Sequence, residues 1–174
     1  GDAFSQLNLG ITYKYGSGGI SKDNQEAVKW FKLAVAQGNP IAQFELGSMF
    51  LWGDGINKNY KEAKKLLELA AEQEEVVAQG ALGALYNKGD GSWSKDDFLQ
   101  SLRWYKRAAE NGDDGSQFML GIYYLGRYPV IPRNPLLAYM WMRIAYENGN
   151  KYTEEEYEKI TKLLNLQKRL EDGK

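Results

Sequence analysis

The chain has 174 residues, 43% hydrophobic and 26% charged, with a formal net charge of −1, which suits one globular domain with a sizeable core. It contains no cysteine and no histidine, excluding disulfides, thiol nucleophiles, Ser-His and Cys-His triads and the usual zinc ligands. The near-neutral charge sets up no broad field for nucleic acid, no apolar run reaches the roughly 20 residues of a membrane span, and no metal or cofactor is expected.

The N-terminal run GDAFSQLNLG lacks the basic start and apolar core of a signal peptide. Ser5, Leu9 and Tyr13 then step by four onto one helical face, with Asp2 placed to cap its start. A loop with Gly16 and Gly18 follows. The next helix reads from EAVKWFKLA (26–34), where Ala27, Trp30, Phe31 and Ala34 form one apolar stripe. Asp23 and Glu26 before it have the spacing of a capping box.

The same pair then recurs three times. Leu-Gly stands at 9–10, 46–47, 82–83 and 120–121, with glycine-to-glycine steps of 37, 36 and 38. Three residues after each glycine comes an aromatic: Tyr13, Phe50, Tyr86 and Tyr124. Four before it comes a glutamine: Gln6, Gln43, Gln79 and Gln117. The second helices superpose as EAVKWFKLA, EAKKLLELA, QSLRWYKRA and LAYMWMRIA, with Trp30, Leu66, Trp104 and Trp141 as expected core. Their predicted caps are Asp23, Asn59, Asp97 and Asn134, and Asn39 and Asp113 join Asp2 at the first helices. The fourth copy departs at Arg127-Tyr128-Pro129, where the others have glycines. Four repeats follow from this, at about 2–38, 39–74, 75–112 and 113–149, in a single domain. A last helix over 153–171 is capped by Thr153 and Glu156 with a Tyr152–Tyr157 staple, and is amphipathic as the end of a stack requires. One helix pair cannot bury its own apolar face, so the expected fold is all-α: a right-handed solenoid of four helix pairs plus that capping helix. Gly1 matches Gly38, Glu74 and Gly112 in register, so its turn reads as the close of an earlier repeat in a longer array.

These columns resemble the Sel-one-like repeat (SLR), a tetratricopeptide-like family. They match its A-x-x-x-LG-x-x-Y-x-x-G-x-G half and its D-x-x-x-A-x-x-W-[FY]-x-x-A half, most fully over 42–74 and 78–112. The resemblance implies an adaptor or scaffold with a protein or peptide partner, bacterial and exported to the periplasm or beyond. It names no ligand, because fold alone does not give function.

Candidate chemistry is sparse. The run from Gly16 to Lys22 lacks the Gly-Lys-[Ser/Thr] of a phosphate loop and recurs as a turn. Ser92 and Lys95 fit Ser-x-x-Lys of penicillin-recognising enzymes, without the partner motifs, and define the enzymatic alternative. Carboxylate clusters at 74–75, 96–97, 113–114 and 154–156 sit where helix starts favour acids. The outward face of the first helices varies between copies, as a binding surface does. Its columns are Asn8, Glu45, Ala81, Met119, then Ile11, Ser48, Ala84, Ile122, then Tyr15, Trp52, Lys88, Gly126. Asn8, Ile11, Tyr15, Glu45, Trp52 and Lys88 are therefore the expected partner-binding residues, with Tyr128 of the proline-stiffened RYPVIPR segment. Tyr15 and Trp52 either meet a partner or pack on an adjacent helix end.

Overall fold

In the computed structural model the described residues are 1–88, 94–127 and 131–171, without the side chains of Lys88, Arg127 and residues 166–171. Among them all regular structure is helical: α1 (Ala3–Tyr15), α2 (Asn24–Ala36), α3 (Pro40–Trp52), α4 (Tyr60–Glu72), α5 (Val76–Lys88), α6 (Lys95–Glu110), α7 (Asp114–Ile122), α8 (Pro135–Glu147) and α9 (Glu154–Glu171). The chain is an all-α helical repeat, in which α1, α3, α5 and α7 are the first helices of successive pairs. It divides into two compact units, residues 1–85 and 86–174.

Helix starts follow from short polar caps. Asp2, Asn39 and Asp113 accept from the N–H groups of Ser5, Ala42 and Ser116 at 2.9, 2.9 and 2.7 Å. Asp23, Asn59 and Asn134 do the same for α2, α4 and α8. Their own N–H groups donate back to the preceding helix, Asp23 to Tyr13 O (2.8 Å), Asn59 to Phe50 O (2.9 Å) and Asn134 to Tyr124 O (2.8 Å). That use of the cap N–H displaces the second half of the predicted capping box, and Glu26 pairs with Lys29 at 2.5 Å. In the third copy the cap is Ser94, not Asp97. Its hydroxyl accepts from the Asp97 N–H at 3.0 Å and reaches the Asp97 carboxylate at 2.6 Å, so α6 begins earlier than the repeat alignment implies.

The Leu-Gly glycines set how closely the two helices of a pair approach. A Cβ on Gly10 would lie 2.5 Å from the Phe31 ring, and one on Gly121 2.5 Å from Met142 Cγ. On Gly47 it would meet Leu67 Cγ at 3.2 Å and Ala63 O at 3.3 Å. The core of the first unit holds Leu7, Ala27, Phe31, Ala34, Ala42, Leu46 and Met49. In the second unit one cluster gathers Phe98, Tyr105, Leu120 and Tyr123, and another gathers Ile122, Ala138, Met142 and Ile160. The innermost column of the second helices is Phe31, Leu67, Tyr105 and Met142. The tryptophans expected there stand one residue before it: Trp30, Trp104 and Trp141 are only half-buried, and the Arg107 guanidinium lies 5.6 Å from the Trp104 ring centre.

The glutamine column is buried polar structure. Gln43 accepts from Gln73 Nε2 at 2.8 Å, Gln6 from Gln37 Nε2 at 2.6 Å and Gln117 from Asn148 Nδ2 at 2.9 Å. Each donor follows the second helix of the same pair. In turn Gln79 donates to Ala71 O (3.3 Å) and Gln117 to Ala109 O (3.1 Å), carbonyls in the last turn of the preceding pair. One side chain thus satisfies buried groups in two successive repeats.

The fourth copy ends its first helix differently. A π-helical turn, Tyr123–Arg127, carries Gly126 at φ 81°, one residue earlier in the repeat than Gly53 at φ 80°. Arg133 packs over Gly126 as Lys58 packs over Gly53. At the C-terminal end Ile160 is buried and Leu164 joins its cluster. The predicted staple is not made: Tyr152 is 80% exposed, and Tyr157 stacks on Tyr139 and Tyr146 at 5.4 and 5.5 Å. Thr153 Oγ1 donates to Asn150 O in the turn ahead of α9.

Candidate partner-binding face

Residues at steps of four, three and four share one helix face. On α1 that face carries Phe4, Asn8, Ile11 and Tyr15, on α3 Ile41, Glu45, Ser48 and Trp52, and on α5 Val77, Ala81 and Ala84. Phe4, Ile41 and Val77 occupy one column and are 68%, 42% and 53% exposed. Tyr15 and Trp52, at the other end of the same face, are 64% and 58% exposed. The sequence reading missed Phe4, Ile41 and Val77. Their signal was present: each lies four residues before the Asn8–Glu45–Ala81 column, and all three are apolar.

The other expected residues fall out variously. Asn8 is exposed. Ile11 is half-buried against the core of the first unit. Glu45 is held in an ion pair with Lys14 at 2.5 Å, the two side chains 12% and 18% exposed, which ties α3 to α1. Burial pushes the Lys14 ammonium down, but the hydrogen bond and charge of Glu45 outweigh it and hold the group above its ordinary value. The same ammonium lies 5.0 Å from the centre of the Tyr15 ring. Lys14 and Glu45 thus neutralise each other, while Phe4, Ile41, Tyr15 and Trp52 remain exposed on the face.

On α7 the equivalent positions are Gly115, Met119, Ile122 and Gly126. Ile122, expected on the outward face, is buried with Ala138, Met142 and Ile160, because α9 covers the last pair. Met119 is half-buried against the Phe98 cluster. The exposed apolar column thus belongs to α1, α3 and α5. Tyr128, Ser92 and the side chain of Lys88 lie outside the described residues, and Lys95 is exposed at the first position of α6. Among the described residues no three acidic side chains gather as a metal site, and no helix is long and apolar enough to cross a membrane.

The chain is matched by the Sel1 repeat model four times, over residues 3–39, 40–75, 76–113 and 115–150. No curated protein matches it. Among solved structures it is similar to a protective antigen of uropathogenic Escherichia coli that displays an SLR fold. That match has 25% identity and a TM-score of 0.83, and it covers 90% of this chain and 33% of the antigen. It is also similar to a Sel1 repeat protein from Oxalobacter formigenes, with 34% identity and a TM-score of 0.78 over 88% of this chain and 61% of that one. An immunity protein of Pseudomonas aeruginosa shares the fold at 21% identity and a TM-score of 0.58, over 88% of this chain and 55% of its own. The chain thus spans about one third of the first of these relatives and less than two thirds of the second. Sel1 repeat proteins are generally protein-interaction scaffolds. With four matched repeats over most of its length and four helix pairs built on the same columns, the chain belongs to the Sel1 repeat family.

Proposed function

We propose that this protein is a non-catalytic scaffold that binds a segment of a protein partner on the outward face of α1, α3 and α5. The observation that carries the reading is the repeated exposure of Phe4, Ile41 and Val77 in one column, with Tyr15 and Trp52 beyond them. Water-facing apolar groups recurring at one register cost solubility unless something covers them, and aromatic groups are the usual anchors of protein interfaces. The Lys14–Glu45 pair cancels two of the charges beside this face, which favours an apolar contact there over recognition of an ion. The three similar structures come from bacteria, which supports a bacterial setting; an envelope or exported location rests on the family resemblance alone.

A photo-crosslinking amino acid at Ile41, on this face, and at Leu33, exposed on α2, tests the reading in native lysate. Capture of one discrete protein from position 41, lost when Trp52→Ala and Tyr15→Ala are added, is the expected result. Equal capture from both positions, or capture indifferent to the two substitutions, overturns it.

A further inference from the structure

We propose that Tyr139 of α8 and Tyr157 of α9 are the site of an oxidative cross-link, a dityrosine that staples α9 to the last helix pair. The two hydroxyls meet at 3.2 Å, while the ring centres lie 5.4 Å apart with their planes 24° from parallel. The rings therefore converge toward their phenol ends, where the ortho carbons flank the hydroxyls. Tyr146 also stacks on the Tyr157 ring, at 5.5 Å and 10°, and helps to hold it in this pose. Tyr139 and Tyr157 are half-buried, so packing fixes the rings while small oxidants still reach them.

The repeat does not ask for these groups. Positions equivalent to Tyr139 carry Val28, Lys64 and Leu102 in the other copies, and those equivalent to Tyr146 carry Val35, Ala71 and Ala109. Tyrosines enter these two columns only in the pair that α9 covers. Phenylalanine would stack equally well; the paired hydroxyls add a hydrogen bond and two phenols that can each give up an electron. Ile160 and Leu164 of α9 share an apolar cluster with Ala138 and Met142, and with no cysteine in the chain no disulfide can fasten that contact.

The oxidant is hydrogen peroxide acting through a haem peroxidase. Each phenol gives up one electron and its hydroxyl proton. The two phenoxyl radicals join through one ortho carbon of each ring, and each ring restores its phenol by moving that ortho hydrogen to oxygen. One carbon–carbon bond forms, two hydrogens leave the chain, and the peroxide takes them to become two waters.

The test treats the full chain with a haem peroxidase and hydrogen peroxide, at a dilution where molecules rarely meet. The expected product is a monomer lighter by two hydrogens, with dityrosine fluorescence, in which peptide mapping joins the segments holding Tyr139 and Tyr157. Amides of α9 in that product should exchange about tenfold more slowly. Tyr139→Phe and Tyr157→Phe keep the stacked ring, and each should abolish the joined peptide; Tyr152→Phe should leave it in place. The proposal is overturned if Tyr139 and Tyr157 stay unjoined after Tyr152, which is 80% exposed, has been oxidised, or if Tyr157 joins Tyr146 in preference. It is overturned equally if the chain unfolded in urea forms the 139–157 link as readily, or if the link leaves exchange in α9 unchanged.

Discussion

Replacing Gly10 by alanine tests how the helix pairs are built. The added methyl would stand 2.5 Å from Phe31 Cε1 and 2.6 Å from Cδ1, about 1 Å inside contact distance, against a ring that is fully buried. Two effects oppose each other. Alanine favours the helix by about 1 kcal/mol over glycine. Overpacking a rigid core site costs about 1–3 kcal/mol, and an immobile ring places Gly10 near the upper end. The expected net loss is about 1–2 kcal/mol, or roughly 3–6 °C in melting temperature. Gly121→Ala meets Met142 Cγ at the same 2.5 Å, but that side chain can turn, so its loss is expected below about 1 kcal/mol. Gly47→Ala meets neighbours only at 3.2 and 3.3 Å, and the helix gain should offset the strain to within about 0.5 kcal/mol. Urea unfolding followed by far-UV circular dichroism ranks the three. In a double-mutant cycle, Phe31→Leu should relieve about 1 kcal/mol of the Gly10→Ala loss. Three equal losses, or a Gly10→Ala chain more stable than its parent, would refute the close approach inferred at these glycines.

Gln117→Leu removes both the donor to Ala109 O and the acceptor for Asn148, and should destabilise the second unit by about 1–2 kcal/mol in urea unfolding. Lys14→Met leaves Glu45 mostly buried without its partner, and a loss of about 1–2 kcal/mol is expected near neutral pH. The folded state raises the Lys14 pKa, so its contribution is complete below the unfolded value and fades as pH rises through the folded one. The stability gap between parent and variant should therefore be constant from pH 7 to 9 and narrow above about pH 10.5. Ile160→Ala opens a cavity under α9 and should cost about 2–4 kcal/mol, read as faster exchange of α9 amides with α1–α4 unchanged.

Much of this architecture was legible because each structural demand is written several times. Gly10, Gly47 and Gly121 answer one packing constraint, and Asp2, Asn39 and Asp113 answer one capping constraint, so the columns reinforced each other. What the columns hid was whatever a repeat does only once. Ser94 took over the cap of α6 because that copy offers several short polar residues within four positions, and alignment could not rank them. Ile122 vanished from the outward face because α9, which lies outside the repeat, covers it. Trp30 and Phe31 differ by a single 100° step around the helix, and depth was decided by where the Leu-Gly glycine lets the neighbour approach. Glu45 was read as available to a partner, since its pairing with Lys14, 31 residues away, depends on the offset between α1 and α3.

The amide column also bears on how the chain reaches this structure. Its bonds include ones between residues 5 or 8 apart, as in Gln79–Glu74 and Gln79–Ala71, and about 30 apart, as in Gln73–Gln43. None has to wait for a distant part of the chain to arrive, so the loop entropy lost before each forms is small. Folding can begin at whichever pair closes first and spread to its neighbours in either direction. Spreading is not symmetrical in its chemistry. A pair added after its predecessor finds the carbonyl for its glutamine already in place, whereas one that forms first leaves that N–H to water or to a local acceptor, such as Glu74 Oε2 for Gln79, until the helix before it docks. Growth from the N-terminal side, the order in which a ribosome releases the chain, is the order in which that carbonyl is already waiting.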